Sequence, residues 1–266
     1  SAVLISVAGI ITMSPFLSAQ VDTGEGNFAQ KQILWLVISS GAFFGASMID
    51  WRFFRRTLAV TGVFAVAVFL LLALLVAGSV FKGAQSWFDL GAFAFQPTDF
   101  AKLSLIFVLA KYFARRHVEI AHMRHIIITA LYALIILILI FIQPDFGGAI
   151  IIALIWLGMV LVSGISKKHL SAIFFIGIAF SMFFWNFGFK DYQKQRIVSF
   201  LNPLADIRGA GYNAYQSTVA VGSGELLGKG IGLGSQSKLK FLPEYRTDFI
   251  FAAYAEEWGF LGGLLI

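Results

Sequence analysis

Eight apolar stretches, each near the length of a bilayer crossing, dominate this chain: residues 1–17, 32–49, 58–81, 93–114, 126–143, 146–165, 169–189 and 248–266. About 20 apolar residues in a helix cover the hydrocarbon core of a membrane. With 59% of its residues hydrophobic and only 13% charged, the chain cannot hide its apolar surface in one soluble core. The expected fold is all-α: a polytopic membrane bundle of about eight helices, one transmembrane domain over 1–266, with a large extracytoplasmic loop at 190–247. The first stretch starts at residue 1 without a charged flank and the last runs to Ile266 without a polar end, so both ends are expected to be cut.

Charge sets the orientation. The short loops around 50–57, 114–125 and 164–170 carry Arg52, Arg55, Arg56, Arg115, Arg116, Arg124, Lys167 and Lys168, whereas the alternate loops at 18–31 and 82–98 carry Lys31 and Lys82. Basic loops stay on the cytoplasmic side. Residues 18–31, 82–98 and 190–247 are therefore placed outside. The net charge of +6 follows from the same rule, so no nucleic-acid partner is expected. Cysteine is absent, which excludes disulfides, thiol nucleophiles and cysteine-based metal sites.

Two outer turns repeat a pattern. Gln96-Pro-Thr-Asp99 opens the fourth stretch and Gln143-Pro-Asp145 the sixth. Proline suits a first helical turn and an acid there interacts favourably with the helix dipole. Capping explains the shape of both turns, but not why a carboxylate stands where Ser or Thr could cap. Asp99 is left open between cap and function; Asp145, followed by Phe146-Gly-Gly148, is read as functional. Within the long loop, Tyr212 to Val221 reads as a short amphipathic helix able to lie against the membrane surface. The glycine-dense turns that follow, from Gly222 to Ser237, can present N–H groups to phosphate oxygens. They do not form a nucleotide P-loop, because Ser223 and Gly230 stand where that motif needs Gly and Ser/Thr.

Ionisable groups inside a span are functional candidates by default. Lys102 and Lys111 lie within reach of a membrane edge and can snorkel. Glu256, eight residues beyond Asp248, is the better candidate to share a cavity with it; Glu257 points the other way and suits helix packing. His122 and His125 are read as part of a solvated basic loop rather than a metal site, since Glu119 is the one further ligand nearby. Asp248 carries the most information, standing where the polar loop from Lys190 to Thr247 gives way to the apolar run Phe249–Ala255. An acid at that boundary can reach a soluble head group while the lipid tail of the same molecule stays in the bilayer.

The segments Ala84-Gln-Ser-Trp-Phe-Asp-Leu-Gly91, Phe95-Gln-Pro-Thr-Asp-Phe-Ala-Lys-Leu103, Gln143-Pro-Asp-Phe-Gly147, Tyr192-Gln-Lys-Gln-Arg-Ile197, Gly211 to Gly234 and Phe241-Leu-Pro-Glu-Tyr-Arg-Thr-Asp-Phe-Ile-Phe251 resemble the shape, elongation, division and sporulation (SEDS) family, in order over nearly the whole chain. Gln236 to Glu244 and Ala255-Glu-Glu-Trp-Gly259 look closer to the RodA branch than to the FtsW branch. The resemblance implies ten spans, so the chain would lack the start of the first and everything after the eighth. It also implies a peptidoglycan glycosyltransferase of the bacterial inner membrane that polymerises lipid II for elongation and rod shape, surrounded by membrane lipids. The implied partner is a class B penicillin-binding protein transpeptidase.

Asp248 matches the family's essential aspartate and Asp145 the acid of its Gln-Pro-Asp turn. Trp87, Arg196, Lys229, Lys82, Glu244, Glu256 and Lys102 complete the expected substrate-binding set. The first outer loop of the family usually reads Gln-Arg-Trp, but here Ser86 precedes Trp87. Lys82, Arg196 or Lys229 would then have to hold the pyrophosphate. Extending a β-1,4 glycan from an α-linked lipid pyrophosphate inverts the anomeric carbon, so the acceptor hydroxyl needs a base and the leaving group needs positive charge. Asp248 would be the base, with a divalent cation (Mg or Mn) a candidate cofactor and no organic cofactor expected. A lipid II transporter, or a scaffold for the transpeptidase, is the alternative; either explains an acid at the outer boundary less well.

Overall fold

The computed structural model describes residues 2–18, 28–81, 84–89, 94–116, 123–202, 206–207, 209, 211–239, 241–245 and 247–266. Lys82, Glu119 and His122 lie outside the described residues. The chain is mostly helical, as the apolar runs require. Helices α1 (Ala2–Ser18), α2 (Phe28–Met48), α3 (Thr57–Ala77), α4 (Pro97–Arg116), α5 (Met123–Ile142), α6 (Phe146–Val162) and α7 (Lys167–Phe183, extended by a π turn to Gly188) form on the first seven expected stretches. The loop beyond them contains α8 (Asp191–Leu201), α9 (Tyr212–Ser223) and α10 (Ser235–Lys238), before α11 (Ile250–Gly263) on the eighth stretch. The amphipathic helix expected at Tyr212 is thus present. Among the described residues, α3, α5 and Lys167–Gly188 are long and apolar enough to cross a membrane, and α6 is a shorter apolar helix.

Two compact units emerge, one formed by Ser1–Ile49 with Lys190–Ile266 and the other by Asp50–Phe189. In the second, central unit, α3 buries Val60, Phe64, Ala67, Leu71 and Leu74, a four-then-three spacing that keeps one seam facing its neighbours. Ala101, Leu105 and Leu109 of α4, Ile136 and Ile140 of α5, and Ala149 and Ile152 of α6 belong to the same core as that seam. The small residues Ala67, Ala101, Ala133 and Ala149 let helix backbones approach, which matters where lipid supplies no hydrophobic drive between helices. The other face of α3, with Leu58, Phe69 and Val76, stays exposed and is equally apolar, as a lipid-facing surface must be.

A three-stranded antiparallel meander joins α3 to α4: β1 (Ser79–Phe81), β2 (Ala84–Asp89) and β3 (Ala94–Phe95), in that order. These strands are absent from the sequence expectation, which ran the fourth span from 93. The helix instead starts at Pro97, where the ring suits a first turn. In the terminal unit, Ala220 of α9, Leu242, Tyr245 and Ala252 and Ala253 of α11 form a second small core. Trp258 of α11 donates its indole N–H to Thr12 of α1 at 3.1 Å.

Candidate active site

Asp248 does not belong to α11. It lies in the turn that precedes the helix, where the Glu244 carbonyl accepts from both Thr247 N (3.1 Å) and Phe249 N (3.2 Å). Below it, Leu242 and Tyr245 are buried against the α9–α11 core, and Tyr212 donates its hydroxyl to the Phe241 carbonyl at 3.1 Å. The turn is therefore anchored on both sides of the acid. Phe249, not Asp248, is the N-cap of α11, with no side-chain cap bond. The Asp248 side chain is exposed and takes no hydrogen bond from any described residue. Glu244, beside it, receives the Thr247 hydroxyl at 3.1 Å.

Because the helix begins at Ile250, counting 100° per residue from Asp248 to Glu256 does not apply, and the expected shared cavity loses its basis. Glu256 is fully buried and meets the glycine-rich loop instead. Its Oε1 accepts from Lys229 Nζ at 2.9 Å, Gln236 N at 3.1 Å and Ser235 Oγ at 3.2 Å. Lys229 Nζ also donates to Ser223 Oγ at 2.9 Å and Ser235 Oγ at 3.0 Å. Glu257 accepts from Gly232 N at 2.9 Å, while its Oε2 is buried without a partner among the described residues. The backbone follows the same course: Lys229 N and Gly230 N donate to the carbonyls of Glu256 and Glu257, each at 3.0 Å.

The glycines expected to cradle phosphate are thus used inside the protein. A Cβ on Gly224 would strike the Ala255 carbonyl, and one on Gly228, which has φ +82, would strike that of Glu257. α11 accommodates the loop by breaking at Gly259 (φ 67, ψ −170). Phe260 N and Leu261 N then pair with the carbonyls of Glu225 (2.9 Å) and Leu226 (3.2 Å). A buried carboxylate must be paired or hydrogen-bonded, and Lys229, the Ser235 hydroxyl and the N–H groups of Gln236 and Gly232 supply those partners. Lys229 holds an internal partner that it would have to share in order to meet a pyrophosphate. Sequence reasoning placed Lys229 and Glu256 as separate binding residues and missed Ser223, Ser235 and Gln236; more than ten residues of chain separate each of them from Glu256, so no local pattern announces the cluster.

In the central unit, Asp145 is the N-cap of α6, its Oδ1 accepting from Gly148 N at 2.8 Å. Gln143 is fully buried and donates to the Leu71 carbonyl at 2.9 Å, while its own carbonyl accepts from Gln85 N at 3.2 Å. The Gln-Pro-Asp turn is so tied to the end of α3 and to β2. Trp87 lies on β2, half-buried, its carbonyl accepting from Ser79 Oγ at 2.9 Å. Ser86 is 2% exposed and its hydroxyl has no partner among the described residues, so an arginine there would have to displace its surroundings. Asp99 pairs with Lys102 at 2.8 Å rather than capping through its side chain. His125, expected in a solvated loop, is buried at the start of α5 with Nδ1 2.7 Å from the Tyr112 hydroxyl.

Arg196 stands on the exposed side of α8, and a cavity of ≈ 310 Å³ lined by Asp191, Lys194, Gln195 and Asp206 runs along that helix. No group of three or more His, Asp or Glu side chains converges among the described residues. A dedicated protein cage for a metal is therefore not built from them; an exposed single carboxylate such as Asp248 is the kind of ligand Mg takes when phosphate oxygens supply the rest.

Residues 1–266 match the model of a family described as cell cycle protein, under the names FtsW, RodA and SpoVE. The peptidoglycan glycosyltransferase MrdB of Escherichia coli (strain K12) is 39% identical over 203 residues, covering 76% of this chain and 55% of MrdB. Stage V sporulation protein E of Bacillus subtilis (strain 168) is 37% identical over 245 residues, covering 90% of this chain and 65% of that protein. The chain thus spans little more than half to two thirds of the curated relatives it matches. Among solved structures, a chain of a peptidoglycan synthase complex, described as coordinating polymerization and crosslinking, superposes with a TM-score of 0.71 at 27% identity, covering 99% of this chain and 72% of that one. The rod shape determining protein RodA of Thermus thermophilus gives a TM-score of 0.59 at 25% identity, covering 99% and 68%.

Proposed function

The chain belongs to the cell cycle protein family of FtsW, RodA and SpoVE, and from that premise we propose that it is a multi-pass membrane glycosyltransferase that polymerises lipid II into peptidoglycan strands. Asp248 carries the reading. Its carboxylate is exposed at the boundary between the polar loop and α11, and the anchored turn holds it out without using it for capping. An ionised carboxylate in that setting can accept the proton of the acceptor sugar hydroxyl as the new glycosidic C–O bond forms and the bond to the lipid pyrophosphate breaks. Attack opposite the leaving group inverts the anomeric carbon, so no second carboxylate is required as a nucleophile.

The pyrophosphate leaves with two or more negative charges that need cations at the low-dielectric edge of a membrane. Arg196 is our assignment for the first of these, with Lys82 a further candidate; Lys229 contributes only by sharing with Glu256. In the alternative with a divalent cation such as Mg or Mn, Asp248 would be its protein carboxylate and would position the acceptor hydroxyl, while the ion would supply charge to neutralise the leaving group. The family's elongation role, the RodA branch, is the one we assign, in the bacterial inner membrane with Asp248 on the extracytoplasmic side. The likeness to a chain of a peptidoglycan synthase complex supports a transpeptidase of the class B penicillin-binding type as partner.

The test is glycan-chain formation from lipid II in detergent, where no flipping across a bilayer takes place. The protein should make chains and Asp248→Asn should not. Parent-like chain formation by the variant would remove Asp248 from the chemistry, and an inactive parent that still moves lipid II across vesicles would favour the transporter.

A further inference from the structure

At the other end of the central unit, a cavity of ≈ 100 Å³ opens among α3, α4 and α5, lined by Thr57, Val60, Phe64, Lys111, Arg115 and Tyr132 among others. The proposed polymerase chemistry does not use it. Its rim is cationic: Arg115 is exposed, and Lys111 reaches across to donate to the Arg55 carbonyl. Its floor is apolar, with Val60, Phe64 and Val108 buried. Tyr132 packs its ring edge-on against Phe64 at 5.5 Å, and no described residue takes its hydroxyl. No carboxylate among the described residues lines the cavity. Its rim lies where the basic loops put the cytoplasmic face, next to Arg55 and Arg56, the level at which lipid phosphates sit.

We propose that this cavity binds the phosphate of an anionic phospholipid from the cytoplasmic leaflet, with Lys111 and Arg115 on the phosphate oxygens, the Tyr132 hydroxyl donating to them, and the first acyl carbons over Val60 and Phe64. The volume admits one phosphate group. Basic pockets between transmembrane helices on this side hold such head groups, and each cation near the surface strengthens anionic lipid binding severalfold. The apolar floor selects a lipid over free phosphate, which would leave that surface uncovered.

Native mass spectrometry of the purified protein in mild detergent, with phosphatidylglycerol or phosphatidylcholine added at equal concentration, reads the occupancy. Phosphatidylglycerol should be retained preferentially. Lys111→Gln with Arg115→Gln should weaken its retention about thirtyfold, and Arg115→Gln alone, at an exposed position that does not endanger folding, about fivefold. Tyr132→Phe, which keeps the ring packing, should cost a smaller factor. Arg52→Gln with Lys168→Gln removes the same charge from the same face outside the cavity and should stay within about twofold of the parent. Equal losses in the two double variants would reduce the site to diffuse surface charge and overturn the proposal. Displacement of bound phosphatidylglycerol by millimolar inorganic phosphate would assign the cavity to a free anion and also overturn it.

Discussion

Asp145 and Asp248 both stand just before an apolar helix, yet the protein treats them differently. The Asp145 carboxylate is bonded to the backbone of the helix it opens, through Gly148 N. The Asp248 carboxylate leaves its helix to be capped by Phe249 without a side chain bond and remains exposed. A capping side chain contributes to stability by satisfying an orphan N–H. A carboxylate held out on an anchored turn does not. The contrast separates an acid that the fold uses for capping from one that the fold merely presents, and it is the structural reason for proposing Asp248 rather than Asp145 as the base.

The sharpest way to break this contrast is Asp248→Asn, which should lower polymerisation by roughly 10²–10⁴ while the unfolding temperature stays at the parent value. A stability loss of the size seen for capping mutants would show that the acid is structural after all. Next in size is the clasp beneath it. Glu256→Ala strands Lys229 and should cost about 3 kcal/mol in detergent unfolding, with polymerisation falling because the loop beside the Asp248 turn loosens. Lys229→Gln should be destabilising too, and the double variant little worse than either. An activity loss for Lys229→Gln far beyond that of Glu256→Ala would instead mark Lys229 as a pyrophosphate contact.

The two chemistries of Asp145 can be split by choice of substitution. Asp145→Ala removes the cap and should destabilise by about 1 kcal/mol, whereas Asp145→Asn keeps a capping oxygen and should unfold close to the parent. A fall in polymerisation for Asp145→Asn then reports the charge alone, and it should exceed that for Asp99→Asn. The smallest effect is expected at Asp99, whose own side chain is largely exposed where it pairs with Lys102; Asp99→Asn should change stability by less than about 0.5 kcal/mol. Equal activity losses at Asp99 and Asp145 would return both turns to the same class.

What was legible in the sequence is what depends on neighbours along the chain. The positions of the apolar helices follow from run length, because a backbone in lipid must pair within its own segment. α9 and the helix-opening turn at Asp145 were legible for the same reason, since caps and amphipathic turns are local. The buried seam of α3 was not, because Val60, Phe64 and Leu71 on that seam are no more apolar than Leu58 and Phe69 on the lipid side. Against a hydrocarbon solvent, hydropathy no longer separates inside from outside. The short strands β1 and β3 escaped because they are only three and two residues long, too short for alternation to show. The link from Lys229 and Gly232 to Glu256 and Glu257 was equally invisible. Sequence analysis could single out Glu256 and Glu257 as ionisable groups inside a span, but a glycine-rich loop can turn its N–H groups towards phosphate or inward with equal ease. Only the tertiary packing, where α11 breaks at Gly259 and takes the loop against its backbone, decides that these donors serve the protein's own carboxylates and that Asp248 is left exposed.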